Sequence, residues 1–151
     1  MRLNIDCIRD IMLWAEEITT PTRFATYLDV DLVEKTKFIY RDEFNLPKPN
    51  ELQLKLLASH KNEVLVYHLN YCINAGLLTQ FDSGITNSIT ISDLTPLGHE
   101  FLGNIRHKNI FDKTKAAINK VGVETLPAVM QVASSLTSEL IKSAIFNAKW
   151  I

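Results

Sequence analysis

The chain of 151 residues has little of what marks several common functional classes. Its five glycines are all isolated, so it contains no glycine-rich loop of the kind that binds phosphate groups. The two cysteines, Cys7 and Cys72, occupy apolar helical positions, and we predict buried free thiols. No apolar run approaches the roughly 20 residues of a membrane-spanning helix, and no secretion signal is visible. We therefore expect a cytoplasmic protein with no membrane partner.

Excess charge of either sign is also lacking. Sixteen basic against seventeen acidic residues give a formal net charge of −1, which favours neither nucleic acid nor an anionic membrane. Between Asn62 and Ile105 there is no Lys or Arg, while four acidic residues lie there: Glu63, Asp82, Asp93 and Glu100. Because contacts with DNA phosphates need cations, we predict that this stretch alone binds DNA poorly.

The clearest pattern that is present runs from Asn62 to Leu78. Apolar residues recur there with the period of a helix and form one face, at Leu65, Leu69, Cys72 and Ile73. Asn62 is a suitable N-cap, and Gly76 is suited to end the helix in the left-handed conformation. We therefore predict a buried helix that ends just before Gly76.

The segments on either side predict a helix-turn-helix pair and a wing. Asn50 is predicted to cap a preceding helix that ends near Ala58. After Gly76 the period changes from 3.6 to 2, with turn residues at 82–84 and an alternating strand at 88–92. Thr95 followed by Pro96 predicts the start of another helix, which continues to Ile105.

The rest of the chain completes the predicted fold. A first helix, capped by Asn4 or Asp6, is expected to end near Ile18. Residues 28–32 alternate between apolar and acidic and favour a strand, and 36–40 are also β-prone; two short strands, or a helix followed by one strand, fit equally well. We predict a mainly α fold with a small β wing (α+β), namely a winged helix-turn-helix core over 1–105 and a C-terminal helical extension over 106–151 in the same globular unit.

Several short segments together resemble a known family. They are Tyr67-His68-Leu69, Ala75-Gly76-Leu77-Leu78, Leu94-Thr95, Gly98-His99-Glu100-Phe101-Leu102, Ile5–Arg9 and Ala133–Leu136. The chain thus resembles domain of unknown function 2513, whose members look like winged-helix proteins of bacteria, prophages and other mobile elements. Pro96 stands where the family usually has Trp, and residues 22–49 match poorly and are interpreted as an insertion. The resemblance supports the fold and implies no catalytic residue.

No evident group of residues predicts catalysis or metal binding. His68 and Cys72 have the spacing of two metal ligands on one helix, but no second pair has ligand spacing. His99-Glu100 resembles half of a zinc motif and lacks the second histidine. We predict no enzymatic activity, no metal and no cofactor.

Two hypotheses about function remain open. The first is a non-catalytic regulator or adaptor of a phage or mobile element that binds double-stranded DNA weakly, since DNA binding is the usual role of a winged helix. The alternative is a protein-interaction module without DNA binding, because Tyr and Asn on an uncharged helix suit a protein interface. Either partner would contact residues of the central helix and the nearby basic residues: Lys61, Tyr67, Asn70, Tyr71, Asn74, Arg106, Lys108, Lys113 and Lys115.

The C-terminal helix offers a further partner surface. Thr125 is predicted to cap it, and an apolar stripe about six turns long follows. The stripe either packs on the core or binds a partner. For the second case we predict a homodimer through Leu136, Leu140, Ile141, Phe146 and Trp150.

Overall fold

A computed structural model describes residues 1–39 and 46–147. The protein is mainly helical with a small three-stranded antiparallel sheet, as the sequence predicts. The helices are α1 (Ile5–Ile18), α2 (Val30–Lys35), α3 (Glu51–Ser59), α4 (Asn62–Asn74), α5 (Pro96–Ile105), α6 (Lys108–Val121) and α7 (Leu126–Asn147), with a 3-10 turn at Lys37–Ile39. The strands are β1 (Ala25–Leu28), β2 (Leu78–Phe81) and β3 (Ser88–Leu94). No helix in the described ranges is long and apolar enough to cross a membrane.

The chain divides into two compact units. One comprises Asp6–Gly98, and the other comprises Met1–Ile5 with His99–Ile151. The boundary therefore falls inside α5. The first unit contains the sheet and the α3–α4 pair, and the second contains α6 and α7.

In the Asp6–Gly98 unit, β3 is the central strand. It pairs antiparallel with β2 on one side and with β1 on the other, giving the order β1-β3-β2. The predicted hairpin of β2 and β3 is thus confirmed. An irregularity in the register falls between Thr79 and Gln80, where Ser92 Oγ donates to the Thr79 carbonyl at 3.2 Å.

The helices of this unit bury the predicted apolar faces. Among their residues the following are buried: Cys7, Ile8, Ile11, Met12, Ala15, Leu65, Leu69 and Cys72. Ala25, Tyr27 and Ile91 of the sheet are buried as well. At about 25 cal/mol per Å² of apolar surface removed from water, this burial is the main stabilising contribution.

The end of α4 follows the prediction made for Gly76. Gly76 has φ of 79°, and its N–H donates to the Ile73 carbonyl at 3.1 Å. The Leu77 N–H donates to the Cys72 carbonyl at 2.9 Å. These two bonds define a Schellman motif, which explains why a glycine stands where the chain turns from helix to strand.

The start of α5 is attached to the same turn. Thr95 caps the helix by accepting the Gly98 N–H at 3.0 Å, and Pro96 is the first helical residue, as predicted. The Thr95 hydroxyl also donates to the Gly76 carbonyl, and the Thr95 N–H donates to the Leu77 carbonyl at 3.0 Å. Two successive peptide units thus hold the α5 N-terminus.

The predicted strand over residues 28–32 is wrong. The chain leaves β1 at Leu28 and enters α2, because Asp29 caps that helix by accepting the Leu32 N–H at 3.2 Å. Residues 37–39 form a 3-10 turn rather than a strand, and the rest of the β-prone stretch, at Tyr40, lies outside the described residues. The alternation of apolar and acidic residues therefore reflects a cap followed by a charged first turn.

The predicted capping role of Asn62 is also wrong. Lys61 occupies the N-cap position of α4 without a side-chain cap, and Asn62 is buried. The Asn62 amide accepts the Tyr27 hydroxyl at 2.7 Å and donates to Asp29 at 2.8 Å and to Asp31 at 3.0 Å. Asn62 therefore ties α4 to β1 and α2.

In the second unit, α6 and α7 pack against each other through their apolar faces. Buried residues on the two helices are Ile110, Phe111, Ile118, Leu126, Val129 and Ala133. Gly122, with φ of 79°, ends α6, and Thr125 accepts the Ala128 N–H at 3.4 Å at the start of α7. Both boundaries match the prediction.

A candidate recognition surface on helix α4

The exposed face of α4 carries four neutral polar or aromatic side chains. Tyr67 is 40% exposed, Asn70 and Asn74 are exposed, and Tyr71 is half-buried. The rings of Tyr67 and Tyr71 lie 6.3 Å apart between centroids, so they form one aromatic strip along the helix. The sequence predicted these four residues as one surface, and the structure brings them together on one helix.

The opposite side of α4 fixes this surface in place. Leu65, His68, Leu69 and Cys72 are all buried there. His68 Nδ1 lies 2.8 Å from the Val64 carbonyl oxygen, which accepts its proton. The helix is thus anchored along its length, and its exposed face is presented on a rigid element.

The buried side gives no support to a metal site at His68 and Cys72. Desolvation by burial raises the pKa of the Cys72 thiol to about 12, so the thiolate that a metal requires is disfavoured. In the parts of the chain that the structure covers, no group of three or more potential ligands could hold a metal ion. The pair is better explained as part of the core.

The cation nearest to this surface in sequence is Lys61. It is exposed and immediately precedes α4, while the helix itself contains no Lys or Arg. Glu63 adds a negative charge in the first turn. The surface is therefore neutral to slightly acidic, apart from the lysine at one end.

The other predicted basic residues belong to the second unit. Arg106 and Lys108 are exposed where α5 gives way to α6, and Lys113 is exposed on α6. Lys115 is half-buried, with its Nζ 5.3 Å from the centre of the Phe111 ring, a cation–π distance.

The basic run on α6 forms two rows rather than one patch. Lys108 and Lys115 are seven residues apart and share one side of the helix. Lys113 follows Lys108 by five residues and therefore points about 140° away around the axis. Asp112 lies between the two rows.

The C-terminal surface changes character along α7. Leu126, Val129 and Ala133 are buried, and Leu136 is half-buried. Further on, apolar side chains become exposed: Leu140 at 48%, Ile141 at 53% and Phe146 at 90%. Trp150, the last residue predicted for this surface, lies outside the described residues.

One surface feature was not predicted from the sequence. Phe24 and Phe81 are both exposed on the sheet of the Asp6–Gly98 unit, with ring centroids 4.9 Å apart. Ile85 in the turn between β2 and β3 is exposed as well. The pairing of the two rings depends on β1, which the sequence pattern did not indicate, so no local signal could reveal it.

Taken together, these features define an α+β protein with a rigid, neutral helix face. Comparison with family models gives a match to the family described as Hypothetical protein (DUF2513) over residues 2–124, and the chain belongs to that family. The matched span includes the poorly resembling residues 22–49 and ends before α7 begins at Leu126. Comparisons with curated proteins and with solved structures give no match.

Proposed function

We propose that the protein is a non-catalytic regulator or adaptor whose Asp6–Gly98 unit is a winged helix with α4 as its recognition helix. One observation carries this proposal: α3 and α4 are separated only by His60 and Lys61, and a β1-β3-β2 sheet completes the same unit. A helix-turn-helix pair followed by a small hairpin wing is the arrangement of winged-helix DNA-binding domains. This step from fold to role is an analogy.

The ligand we propose first is double-stranded DNA. An Asn side chain can pair with adenine in the major groove, and Asn70 and Asn74 are exposed one turn apart on α4. Lys61 at the N-terminus of the helix provides a cation for a phosphate. Since α4 itself carries no cation, we expect weak binding that falls steeply with salt.

A mobility shift with random duplex DNA across a salt series tests this proposal. Asn70→Ala with Asn74→Ala should reduce sequence preference, at about 1–3 kcal/mol for each base that is no longer hydrogen-bonded. Replacing Lys108, Lys113 and Lys115 by Ala should flatten the salt slope by roughly 0.9 for each phosphate that is no longer neutralised. Lys142→Ala, an exposed lysine on α7, serves as the matched control. Nanomolar binding that the triple change leaves untouched would show that the DNA lies elsewhere.

A second candidate is protein binding through the same helix face. The observation that favours it is the neutral Tyr67–Tyr71 strip, since aromatic residues are enriched at protein interfaces and phosphates find no cation on α4. A photoreactive amino acid at Tyr67 should then give a discrete adduct in cells, and Asn70→Arg should abolish it. The same label at Phe38, exposed in the 3-10 turn, is the control. An adduct unaffected by Asn70→Arg would exclude this face.

We also propose a homodimer through the exposed half of α7. Leu140 and Ile141 continue the apolar side of a helix whose first half is buried, and the helix follows the family-matched region. Such a surface usually binds a partner. Leu140→Glu with Ile141→Glu should convert a dimer into a folded monomer in sedimentation, whereas Ser138→Glu with Ser135→Glu should not. A wild-type protein that sediments as a monomer at high concentration would refute the homodimer.

A further inference from the structure

A cavity of about 220 Å³ lies between α1 and α3, wholly within the Asp6–Gly98 unit. Each helix contributes side chains at positions i, i+3, i+4 and i+7, which is the spacing of one helix face. The α1 series begins at Asp10 and the α3 series begins at Leu52. The cavity is therefore a groove between two adjacent helix faces.

Much of the cavity wall is apolar and includes one unsatisfied donor. Leu13 and Trp14 of α1 line it together with Leu52 and Leu56 of α3. Trp14 is only 4% exposed, and its ring is held edge-on against Tyr27 with centroids 6.2 Å apart. Its indole N–H is buried and has no hydrogen-bond acceptor among the described residues. A buried donor without an acceptor is rare, and an occupant with an acceptor oxygen would satisfy it.

The polar wall of the cavity offers one charge of each sign. Lys55 of α3 and Glu17 of α1 line it, are exposed, and make no ion pair within the residues that the structure covers. Asp10 is differently placed, because His60 Nε2 lies 2.7 Å from its carboxylate. A ligand would therefore find one available cation, one available anion and an apolar wall.

We propose that this cavity binds a free α-amino acid with an aliphatic side chain. The ligand's carboxylate would accept the Trp14 indole N–H and pair with the Lys55 ammonium, and its ammonium would donate to the Glu17 carboxylate. Its side chain would contact Leu13 and the two leucines of α3. The volume equals about seven waters at ~30 Å³ each, which suits a ligand of roughly eight to ten non-hydrogen atoms.

The position of the cavity gives such a ligand a regulatory consequence. α3 leads through His60 and Lys61 directly into α4, so a molecule that bridges α1 and α3 would stabilise the base of the recognition helix. This consequence rests on the proposed function of α4, whereas binding itself does not. Binding is therefore measured without DNA, and its failure would leave the DNA proposal standing.

The test is calorimetric titration of the full chain with L-leucine and two of its analogues. 3-Methylbutylamine lacks the carboxylate, and 4-methylpentanoate lacks the ammonium. Each should bind at least about tenfold more weakly than L-leucine, because each lacks one of the charge-assisted hydrogen-bonding groups. Absence of saturable binding of L-leucine at millimolar concentrations would overturn the proposal. Equal affinity for 4-methylpentanoate would overturn the assignment of an amino acid.

Substitutions locate the binding within the molecule. Lys55→Met and Glu17→Gln should each weaken L-leucine binding about tenfold, while Lys35→Met and Glu124→Gln, also exposed, should leave it unchanged. Trp14→Phe, which removes the N–H, should weaken it similarly. The two charge variants keep the test decisive if Trp14→Phe destabilises the fold. Affinity equal in Lys55→Met and Lys35→Met would place any binding outside this cavity.

Discussion

Replacing Gly98 by Ala tests how closely the start of α5 approaches the chain that follows α4. A Cβ at this position would overlap the Leu77 carbonyl oxygen, and would lie 3.0 Å from the Leu77 carbonyl carbon and 3.2 Å from Met12 Cε. The carbonyl is fixed, because it already accepts the Thr95 N–H at 3.0 Å. The start of α5 would therefore have to move away from Leu77.

The expected magnitude follows from two opposing effects. Ala is intrinsically better than Gly inside a helix by about 1 kcal/mol, so a change without a clash would stabilise the protein. Overpacking costs about 1–3 kcal/mol, and loss of the hydrogen bond from Thr95 adds about 1 kcal/mol. We expect a net loss of about 2–4 kcal/mol in the free energy of unfolding, which corresponds to roughly 5–15 °C in Tm for a chain of this size.

Urea denaturation followed by circular dichroism measures the effect, and the same helix provides the control. An added Cβ at Gly103, which is exposed on α5, meets no atom within 4 Å. Gly103→Ala should therefore raise stability by up to about 1 kcal/mol. If Gly98→Ala were as stable as the wild type, or if both changes had the same sign, the close approach of α5 to Leu77 would be refuted.

Three further predictions concern buried polar groups. Gln53 accepts the Leu28 N–H at 2.9 Å and donates to the Leu28 carbonyl at 2.6 Å, so Gln53→Ala should lower the free energy of unfolding by about 2–5 kcal/mol in urea, whereas exposed Gln131→Ala should change it by less than about 0.5 kcal/mol. Burial raises the pKa of the Cys7 and Cys72 thiols to about 12, so Ellman's reagent at pH 8 should label neither until the protein unfolds; rapid labelling of the folded protein would contradict this. Because the folded protein holds those protons more tightly than the unfolded chain, stability should be fully present below pH 9 and fall as pH rises from 9 towards 12. The decline should be shallower when both cysteines are replaced by Ala; an equal slope in that variant would contradict the linkage.

The sequence predicted those elements whose signals are local. The end of α4 at Gly76, the start of α5 at Thr95-Pro96 and the end of α6 at Gly122 each depend on a cap that a single residue type provides. The β2–β3 hairpin is likewise marked by its own turn residues, where Gly84 donates its N–H to Asp82 at 3.0 Å.

The features that sequence patterns did not reveal depend on contacts between distant residues. Asn62 suits a cap by type, but its partners Tyr27, Asp29 and Asp31 are provided by an earlier part of the chain. The role of Gln53 in holding Leu28 has no local sign for the same reason. The start of α2 could have been found, because Asp29 followed by a charged first turn is a recognised helix signal.

The position of β1 at the edge of the sheet has a consequence for the order of folding. β2 and β3 are joined by a short turn, so their hairpin can form within its own segment. β1 pairs with β3 through residues 25–28 and 88–91, and α2, α3, α4 and β2 all lie between them in the chain. Closing so long a segment carries a larger entropic cost than closing the hairpin. We therefore expect β1 to join after the folding transition state, so that weakening Thr26 or Tyr27 would accelerate unfolding more than it slows folding.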